Sequence, residues 1–473
     1  MFKTSIFDKI LTHKSSNQNI VANTYLHVVG NCPELLEKYK TSEKAKIWLC
    51  IRHELVAIIK IFYSIFNKRY YCNQQENTNT DVLFVSHLTN NKQLLQDSDA
   101  YFGNLPALLS DQGIGSNIAL INHAKSSSKA ILNSWKDSDT CRFVLSPTLS
   151  FLCEIRLYLT QKKTRRLLKS ILKDLQIDEN PAKDILCHHL SSSTLNSLRI
   201  AKQVADIVNK SRVKFVITTY EGHAYERLVY YYVKKINPDI KCFGYQHAAV
   251  FENQHAIKRP LSVGYNPDII FTSGLIAKDI LRKSWLKEEE IVCIGSPKYS
   301  KPTAMASKSQ TCLVAPTYFI TECLDLFQFS LIYAKKHKDQ EFIWRLHPMI
   351  SLDKLKKYSS IFKELPSNIH LSESNLEKDI KDCDSVLYHA SSVVVNSINS
   401  GLKPIYYRQS SDELSIDPIY THKEGKSIVH NQEELGLALD RDIDAKTMQS
   451  LQDFAQDFYT PLNVTVLLNE MVC

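Results

Sequence analysis

The chain has 473 residues and a mass of 54.2 kDa, which is too large for one core and predicts two or three compact units. Hydrophobic residues make up 44% of the chain and charged residues 23%, which excludes a largely disordered protein. The formal net charge of +8 suits an anionic partner. No RNA- or DNA-binding module accompanies it, so no nucleic acid partner is expected.

Cysteine usage and hydropathy indicate the compartment. The twelve cysteines are scattered and no two form a CxxC pair, so neither a zinc site nor a disulfide framework is predicted. Reduced thiols and the lack of a recognisable signal peptide favour the cytoplasm. The longest apolar run, residues 55–66, is interrupted by Lys60 and is shorter than the roughly 20 residues that a membrane span needs.

The first predicted element is an amphipathic helix over about residues 43–70, within a helical N-terminal extension of residues 1–75. Its apolar residues recur at i, i+3, i+4 and i+7 spacing. They are Trp48, Ile51, Leu55, Ile58, Ile59, Phe62 and Phe66. We expect this stripe to pack on the helix's own domain. The alternative is a basic amphipathic helix that lies in a membrane interface.

A Rossmann-like domain is predicted for residues 81–297, after a polar linker at residues 73–80. Here β-branched and aromatic runs alternate with helical segments, which is the pattern of a parallel sheet covered on both faces. The predicted strands are residues 82–85, 118–121, 143–145, 215–217, 242–245, 269–271 and 291–294.

A second alternation follows a Ser-, Lys- and Pro-rich connector that ends at residue 309, and it predicts another Rossmann-like domain over residues 310–445. Residues 446–473 are expected to form a helix that packs back on the first domain. The predicted strands are residues 312–315, 342–344, 385–388 and 404–406. The expected fold class is therefore α/β, with two Rossmann-like domains facing a cleft.

Three short segments place polar groups at the carboxyl ends of predicted strands, which is the edge where open α/β sheets bind ligands. The first is Tyr220-Glu221-Gly222, where glycine allows a sharp turn before a helix predicted at residues 224–235. The Glu221 carboxylate can take a proton from an attacking hydroxyl. Capping of the following helix is the structural alternative for Glu221.

The second segment is Arg345-Leu346-His347-Pro348. Proline disfavours the α conformation at His347, so the imidazole should face the cleft, where a protonated ring can meet a phosphate oxygen. Arg345 lies two residues earlier and is expected on the same strand face, as a second donor-binding group. A plain surface turn is the alternative for a His-Pro pair.

The third segment is His389-Ala390-Ser391-Ser392, which precedes a predicted helix that ends at Gly401. Hydroxyls and free N–H groups at the start of a helix can hold an anion. We therefore expect a donor-binding site at Ser391, Ser392 and Gly401. An ordinary serine helix cap is the alternative.

Gln246 and His247 end another predicted strand and are candidate acceptor-binding groups, and His247 is a second candidate for the catalytic base. The sequence has no GxGxxG after the first strand, no Walker motif, no HExxH and no GxSxG, so the usual redox, P-loop and hydrolase signatures are missing. We expect no metal and no cofactor. A carboxylate, an imidazole and two hydroxyls at sheet edges favour a transferase that holds an anionic nucleotide donor beside an acceptor hydroxyl.

In the order of these motifs, residues 81–407 resemble bacterial GT-B glycosyltransferases that use CMP-activated acidic sugars, such as sialyltransferases and Kdo transferases. The resemblance implies that Glu221 is the base and that His347, Ser391 and Ser392 hold the donor phosphate. It also implies a cytidine nucleotide donor and a glycan or lipid-linked glycan acceptor of lipopolysaccharide or capsule, bound by the first domain. The family motif has two acids before glycine, and Tyr220 stands at the first of them.

Other interpretations are open at this stage. CDP-glycerol glycerophosphotransferases are similar in the His-Pro and Ser-Ser segments, and their catalytic histidine would correspond to His247. Retaining capsule Kdo transferases share the layout as well, so the stereochemistry is undecided. A non-catalytic scaffold of a glycan assembly complex is a third interpretation. The basic run at residues 162–173 can bind an anionic membrane surface on the inner face of the cytoplasmic membrane, or it is a solvated helix face.

Overall fold

The computed structural model describes residues 5–28, 43–67, 70–72, 80–135, 138, 140–284, 286–302, 310–410 and 414–472. Most of the predicted linker, residues 73–79, and the end of the predicted connector, residues 303–309, lie outside the described residues. Two separate sheets are present, and each has a hydrophobic core on both of its faces. The predicted α/β class with two Rossmann-like domains is confirmed.

Eight strands form the first sheet. They are β1 (Tyr70–Cys72), β2 (Val82–Leu88), β3 (Ser116–Asn122), β4 (Cys141–Leu145), β5 (Phe215–Thr219), β6 (Lys241–Gln246), β7 (Ile269–Thr272) and β8 (Ile291–Cys293). Their order is β1-β4-β3-β2-β5-β6-β7-β8, and only β1 is antiparallel to its neighbour. From β2 onward this is a doubly wound order, which places the topological switch point between β2 and β5.

Eleven α-helices are described in this half of the chain. They are α1 (Ile6–Leu11), α2 (Gln18–Val21), α3 (Thr24–Val28), α4 (Glu43–Tyr63), α5 (Leu105–Ser110), α6 (Ser128–Leu132), α7 (Phe151–Asp174), α8 (Glu179–His188), α9 (Ser192–Lys210), α10 (Ala224–Ile236) and α11 (Leu275–Arg282). Helices α1 to α3 are part of the domain core, where Phe7, Ile10 and Leu26 are fully buried.

Six parallel strands form the second sheet. They are β9 (Thr311–Ala315), β10 (Glu341–Trp344), β11 (Ile369–Leu371), β12 (Ser385–Tyr388), β13 (Lys403–Tyr407) and β14 (Ser427–Val429). The order β11-β10-β9-β12-β13-β14 is again doubly wound, with its switch point between β9 and β12. The helices are α12 (Ile320–Lys336), α13 (Leu352–Lys356), α14 (Leu376–Lys381), α15 (Val393–Asn399) and α16 (Gln432–Asp440).

The end of the chain crosses between the domains. The structure has two helices here, α17 (Ala445–Phe458) and α18 (Val464–Val472), where the sequence predicted one. Helix α17 packs on α15 of the second domain and on α11 of the first. Helix α18 packs on α5, and its Leu467 and Met471 are buried in the core of the first domain.

One cysteine expectation is wrong. Cys50 on α4 and Cys187 on α8 form a disulfide, although the sequence predicted reduced thiols throughout. The two residues are 137 positions apart, and such a pairing depends on how the helices pack, which cysteine spacing does not reveal. In the described part of the chain, no helix is both long enough and apolar enough to cross a membrane.

Candidate active site

The carboxylate of Glu221 lies at the switch point of the first sheet, just beyond the carboxyl end of β5. Two imidazoles flank it. His223 Nε2 is 3.3 Å from one carboxylate oxygen, and His247 Nε2 is 3.5 Å from the other. The structure therefore brings together the two residues that the sequence offered as alternative bases, and it adds a third that the sequence analysis missed.

Burial and the neighbouring charges shift the pKa of Glu221 in opposite directions. Burial alone would raise the pKa of Glu221, but the hydrogen bond and charge of His223, with the neighbouring His247 and His87, lower that pKa to about 2. Burial likewise opposes the charged form of His223, whereas Glu221 and Glu226 raise the pKa of His223 to about 9. At neutral pH the pair is a carboxylate with an imidazolium. Burial lowers the pKa of His247 to about 4, which keeps its ring neutral.

The turn that carries Glu221 is fixed by its own backbone and by Glu226. Gly222 has a φ of 83°, and a Cβ there would lie 2.2 Å from the carbonyl oxygen of Ala256, so only glycine fits. The buried Glu226 carboxylate accepts the N–H of Glu221 at 3.1 Å and that of His223 at 2.8 Å. Glu226 therefore caps α10, and the helix-capping alternative for Glu221 is wrong.

Helices near the N-terminus support the same turn from behind. His27 on α3 has its Nδ1 atom 3.1 Å from the carbonyl oxygen of Gly222. Arg259 donates to Asp8 on α1 at 2.7 Å, and both side chains are almost fully buried. The Arg259 guanidinium also lies 3.2 Å from His27. The buried Arg259–Asp8 ion pair therefore positions His27, and His27 supports the turn at Gly222.

The side chain of Tyr220, the residue before Glu221, points into the core of the first domain. Its side chain is completely buried, and its Cγ atom lies 2.7 Å from the position that a Cβ on Gly244 would take. The Arg227 guanidinium lies 5.2 Å from the Tyr220 ring on the inner side. Position 220 faces the core, so its identity does not change the groups in the cleft.

A chain of hydrogen-bonding groups lies beside Glu221 and escaped the sequence analysis. His87 on β2 has its Nδ1 atom 2.9 Å from His123 and its Nε2 atom 3.0 Å from both Thr219 and Tyr225. The Tyr101 ring packs edge-on against His247 with 4.7 Å between ring centroids. The only available signal was the position of His87 near the end of the strand that borders the switch point.

Gln246 does not fit its predicted role in acceptor binding. Its side chain is 1% exposed, its Oε1 atom accepts the N–H of Ser273 at 3.1 Å, and its amide donates to the carbonyl of Ala248. A buried amide with its polar atoms satisfied holds the loop after β6 in place. It thereby positions His247, which follows it.

In the second domain, His347 lies just beyond β10 and its ring is partly buried. Its Nδ1 atom accepts the N–H of Met349 at 3.2 Å, so Nε2 carries the proton of the neutral ring. Burial lowers the pKa of His347, which makes a neutral N–H donor the form present before a ligand binds. The expected protonated ring therefore requires a bound anion to raise that pKa.

Arg345 is engaged within its own domain. It donates to Asp379 on α14 at 2.5 Å and to the carbonyl of Ser374 at 2.9 Å. Because β10 ends at Trp344, Arg345 lies beyond the strand and not on a shared strand face with His347. These contacts indicate that Arg345 holds the loop before α14, and the structure does not place it with the donor-binding groups.

The serine pair is at the carboxyl end of β12, across the second switch point from β9. Ser392 precedes α15, but its hydroxyl does not cap that helix, so the helix-cap alternative is wrong. The N–H of Ala390 donates to Glu322 of α12 at 3.3 Å and is therefore already satisfied.

Gly401 is far from this pair. It has a φ of 83° and ends α15, so it lies at the amino edge of the sheet before β13, whereas Ser391 lies at the carboxyl edge. Its predicted place in the donor site is wrong. The strand order does bring His347 and Ser391 together, because β10 and β12 flank β9 and their ends are about 10 Å apart at the usual strand spacing.

The two edges meet across the cleft at Tyr318, which follows β9. The Tyr318 ring lies 5.8 Å from that of His347, centroid to centroid. Burial raises the pKa of Tyr318, and the negative charge of Glu221 in the first domain raises it further. The pKa of Tyr101 is likewise raised to about 12 by burial, by the charges of Glu221 and Asp99, and by Tyr318. Tyr318 therefore lies beside the ring of His347 and near enough to Glu221 for that carboxylate to raise its pKa.

Among the described residues, neither a metal-binding cluster nor a pocket marks a competing site. No group of three or more His, Cys, Asp and Glu side chains among them is arranged to hold a metal ion. A pocket of about 570 Å³ lies where the chain returns to the first domain, and it is lined by Leu275, Cys293, Ile294 and residues 460–465. None of the residues around Glu221 or His347 lines it.

Comparisons with known proteins were made for the whole chain. Neither a protein-family model nor a curated protein matches the sequence. Solved structures that resemble it include a glycotransferase of kitacinnamycin, with 10% identity and a TM-score of 0.48 over 83% of this chain and 98% of that one. A second is a UDP-GlcNAc 2-epimerase from Neisseria meningitidis bound to UDP-GlcNAc, with 11% identity and a TM-score of 0.46 over 83% of this chain and 99% of that one. A third is a lipopolysaccharide outer core galactosyltransferase, with 10% identity and a TM-score of 0.41 over 83% of this chain and 99% of that one.

All of these TM-scores are below 0.5, so the resemblances carry no argument about activity. The fold assignment stands on the two doubly wound sheets themselves.

Proposed function

We propose that the protein is a glycosyltransferase of the GT-B type, which moves a sugar from a nucleotide-activated donor to an acceptor hydroxyl. The observation that carries this proposal is the position of Glu221. It is an ionised carboxylate at the switch point of one sheet, and Tyr318 and the free Nε2–H of His347 lie at the facing edge of the other. Ligands of doubly wound sheets bind at such edges.

The proposed reaction assigns one task to each edge. The acceptor hydroxyl attacks the anomeric carbon, its proton passes to Glu221, and the bond from that carbon to the donor phosphate breaks with its electron pair going to the nucleotide. His347, Ser391 and Ser392 donate hydrogen bonds to the phosphate as its charge grows. A base with a pKa of about 2 is weak, so we expect the proton to move late, once the attacking oxygen has become acidic.

His223 has a defined part in this scheme. As an imidazolium it stabilises the Glu221 carboxylate, but it also opposes protonation of that carboxylate. When His223 loses its proton, near its pKa of about 9, the pair can take up the hydroxyl proton as a unit. We therefore propose His223 as a positioning residue that sets the pH at which Glu221 works.

For the donor we propose a CMP-activated acidic sugar, and for the acceptor a hydroxyl of a surface glycan of the lipopolysaccharide or capsule type. The support is the motif order: the acid-Gly turn, then His-Pro, then the serine pair. UDP- and GDP-activated sugars are the competing donors.

CDP-glycerol phosphotransfer is the second candidate, since His247 is a neutral imidazole at the cleft. Its Nε2 atom faces Glu221, so replacing either residue perturbs the other, and single substitutions there do not separate the two reactions. The substrate does separate them. A sugar transferase consumes CMP-, UDP- or GDP-sugars, whereas a glycerophosphotransferase consumes CDP-glycerol.

The first experiment is the midpoint of thermal unfolding with CMP, CDP, UDP or GDP, followed by donor turnover with the corresponding sugars and CDP-glycerol. A ligand at about 100 times its Kd adds roughly 2.7 kcal/mol of stability. We expect cytidine nucleotides to raise the midpoint, His347→Ala to abolish the rise, and His370→Ala to retain it, because His370 is an exposed histidine paired with Glu341 in the same domain. No response to any nucleotide, with no donor turnover, would instead favour a non-catalytic scaffold.

A further inference from the structure

The apolar stripe of α4 faces outward, which is opposite to the packing that the sequence favoured. Trp48 is 74% exposed, Ile59 63%, Phe62 62% and, just after the helix, Phe66 86%. Ile51, Leu55 and Ile58 on the same stripe are exposed as well. A soluble protein seldom leaves so many large apolar side chains together in water, and such a patch marks a docking surface.

The inward face of α4 is the more polar one. Lys46 forms an ion pair with Asp184 at 3.3 Å, and Glu54 accepts a hydrogen bond from Lys162 at 3.2 Å. The Cys50–Cys187 disulfide and the buried Ala57 complete this face. Polar contacts and a covalent bond therefore fix α4 on the domain with its apolar side turned out, so the orientation does not arise from loose packing.

Helix α7 packs beside α4 and adds charge to the surface. Its exposed residues at helical i, i+4, i+7 and i+11 spacing are Leu152, Arg156, Leu159 and Lys163, followed by Arg166 one turn later. Leu152 is 74% exposed and Leu159 58%. Arg52 is exposed on α4 itself. None of these outward-facing residues is an aspartate or glutamate.

We propose that α4 and α7 together form a monotopic docking surface for an anionic lipid bilayer. Helix α4 is about 31 Å long, and it would lie in the plane of the interface with Trp48, Ile59 and Phe62 among the acyl chains. The basic residues of α7 would meet the lipid phosphates. A tryptophan on the apolar side and cations beside it are the combination that favours the headgroup boundary.

Charge complementarity selects the bilayer over a second copy of the chain. In a symmetric dimer each patch meets an identical patch. Arg52, Arg156 and Lys163 would then approach the same residues of the other copy without a carboxylate among the outward-facing groups. An anionic membrane neutralises them.

The test is flotation of the full chain with vesicles of phosphatidylcholine alone or with added phosphatidylglycerol, without any nucleotide. We expect binding to the anionic vesicles only, weakened by salt. Trp48→Ser with Phe62→Ser should weaken binding about tenfold or more. The matched control is Val263→Ser with Leu437→Ser, which removes two apolar side chains elsewhere that are 98% and 69% exposed and should not change binding.

A second pair of double variants tests the basic residues of α7. Lys163→Glu with Arg166→Glu should reduce binding to anionic vesicles and flatten its salt dependence, whereas Lys301→Glu with Lys338→Glu, at exposed sites in other regions, should not. Trp48 emission should shift to the blue on binding, and Trp48→Phe should lose that shift while still binding. This readout reports insertion of α4 itself.

Three results would overturn the proposal: no binding of the folded protein to anionic vesicles, binding that the Trp48/Phe62 variant leaves unchanged, or a dimer in solution that this variant converts to a monomer. Light scattering measures the last of these. Because no nucleotide or donor enters these measurements, their failure leaves the proposed transferase activity untouched, and the reverse also holds.

Discussion

The carboxyl edges of the two sheets differ in how far their polar groups are already satisfied. In the first domain, Glu221 is held between His223 and His247, and Glu226 bonds the backbone of its turn. In the second domain, the hydroxyl of Ser392 does not cap α15, and the Nε2–H of His347 can donate to a ligand. In the proposed reaction, the first edge takes up the proton of the acceptor, and the second edge is completed by the phosphate of the donor.

Substitution of Glu221 is the most direct test of this difference between the two sheet edges. Glu221→Gln keeps the size of the side chain but removes the negative charge between the two imidazoles, so we expect turnover to fall by about 10²- to 10⁴-fold. Nucleotide binding should be unchanged, because it belongs to the other edge. Steady-state transfer rates and nucleotide affinity are the measurements. Glu341→Gln, an exposed glutamate of the second domain, should retain full activity. Equal loss of nucleotide affinity in Glu221→Gln would contradict the division of tasks.

The support behind the first edge should also matter for stability. Asp8→Ala leaves the Arg259 guanidinium buried without its carboxylate, so we expect the free energy of unfolding to fall by about 3–5 kcal/mol. Urea denaturation measures the loss. Arg282→Ala, which breaks an exposed pair with Glu288, is the control and should leave the unfolding midpoint where it is. A comparably small effect of Asp8→Ala would mean that α1 does not support the turn.

His347→Ala tests the proposed role of the second sheet edge in binding the donor phosphate. Removal of one donor to the phosphate should lower turnover about 10²-fold or more and weaken nucleotide binding. The imidazole resonances of His223 and His247 should not move, because both residues belong to the first domain, whereas His347 belongs to the second. Transfer assays and NMR test the two halves of this expectation. Near wild-type transfer by the variant would contradict the proposed role of His347.

The smallest expected effect is a pH dependence. Because Glu221 raises the pKa of His223 to about 9, the stability that this pair contributes is fully present below about pH 6.5 and is lost as the pH rises through 9. For Glu221, whose pKa is about 2, the contribution is lost only as the pH falls through that value. We expect His223 to titrate near 9 by NMR, and nearer its ordinary value in Glu221→Gln. A titration near 6.5 in the unaltered protein would rule out the ion pair.

The sequence predicted the strands well because buried parallel strands are runs of β-branched and aromatic residues. Eleven predicted strands are present, and the missed ones, β1, β11 and β14, have three residues each, too few for a pattern. The sheet edges followed from these strands, and with them Glu221, His247, His347 and the serine pair. Gly401 was misplaced because a glycine that ends a helix looks the same in sequence wherever that end lies.

What the sequence could not provide depends on strand order and on packing. His87, Thr219 and Tyr225 meet because β2 and β5 are neighbours, although Thr219 is 132 positions and Tyr225 138 positions from His87 in the chain. The periodicity of α4 predicted an apolar stripe but not whether that stripe faces the core or the solvent, since the same spacing describes both kinds of helix. Only the contacts of Lys46, Glu54 and Cys50 determine that direction.

The return of α18 to the first domain has a consequence for synthesis of the protein. Leu467 and Met471 fill the core under α5, so the first domain is completed by residues that follow the second domain along the chain. During translation this apolar surface stays open until the second domain has left the ribosome. Chains that stop short of residue 464 should therefore expose it and become substrates for chaperones and proteases, even though both sheets are complete.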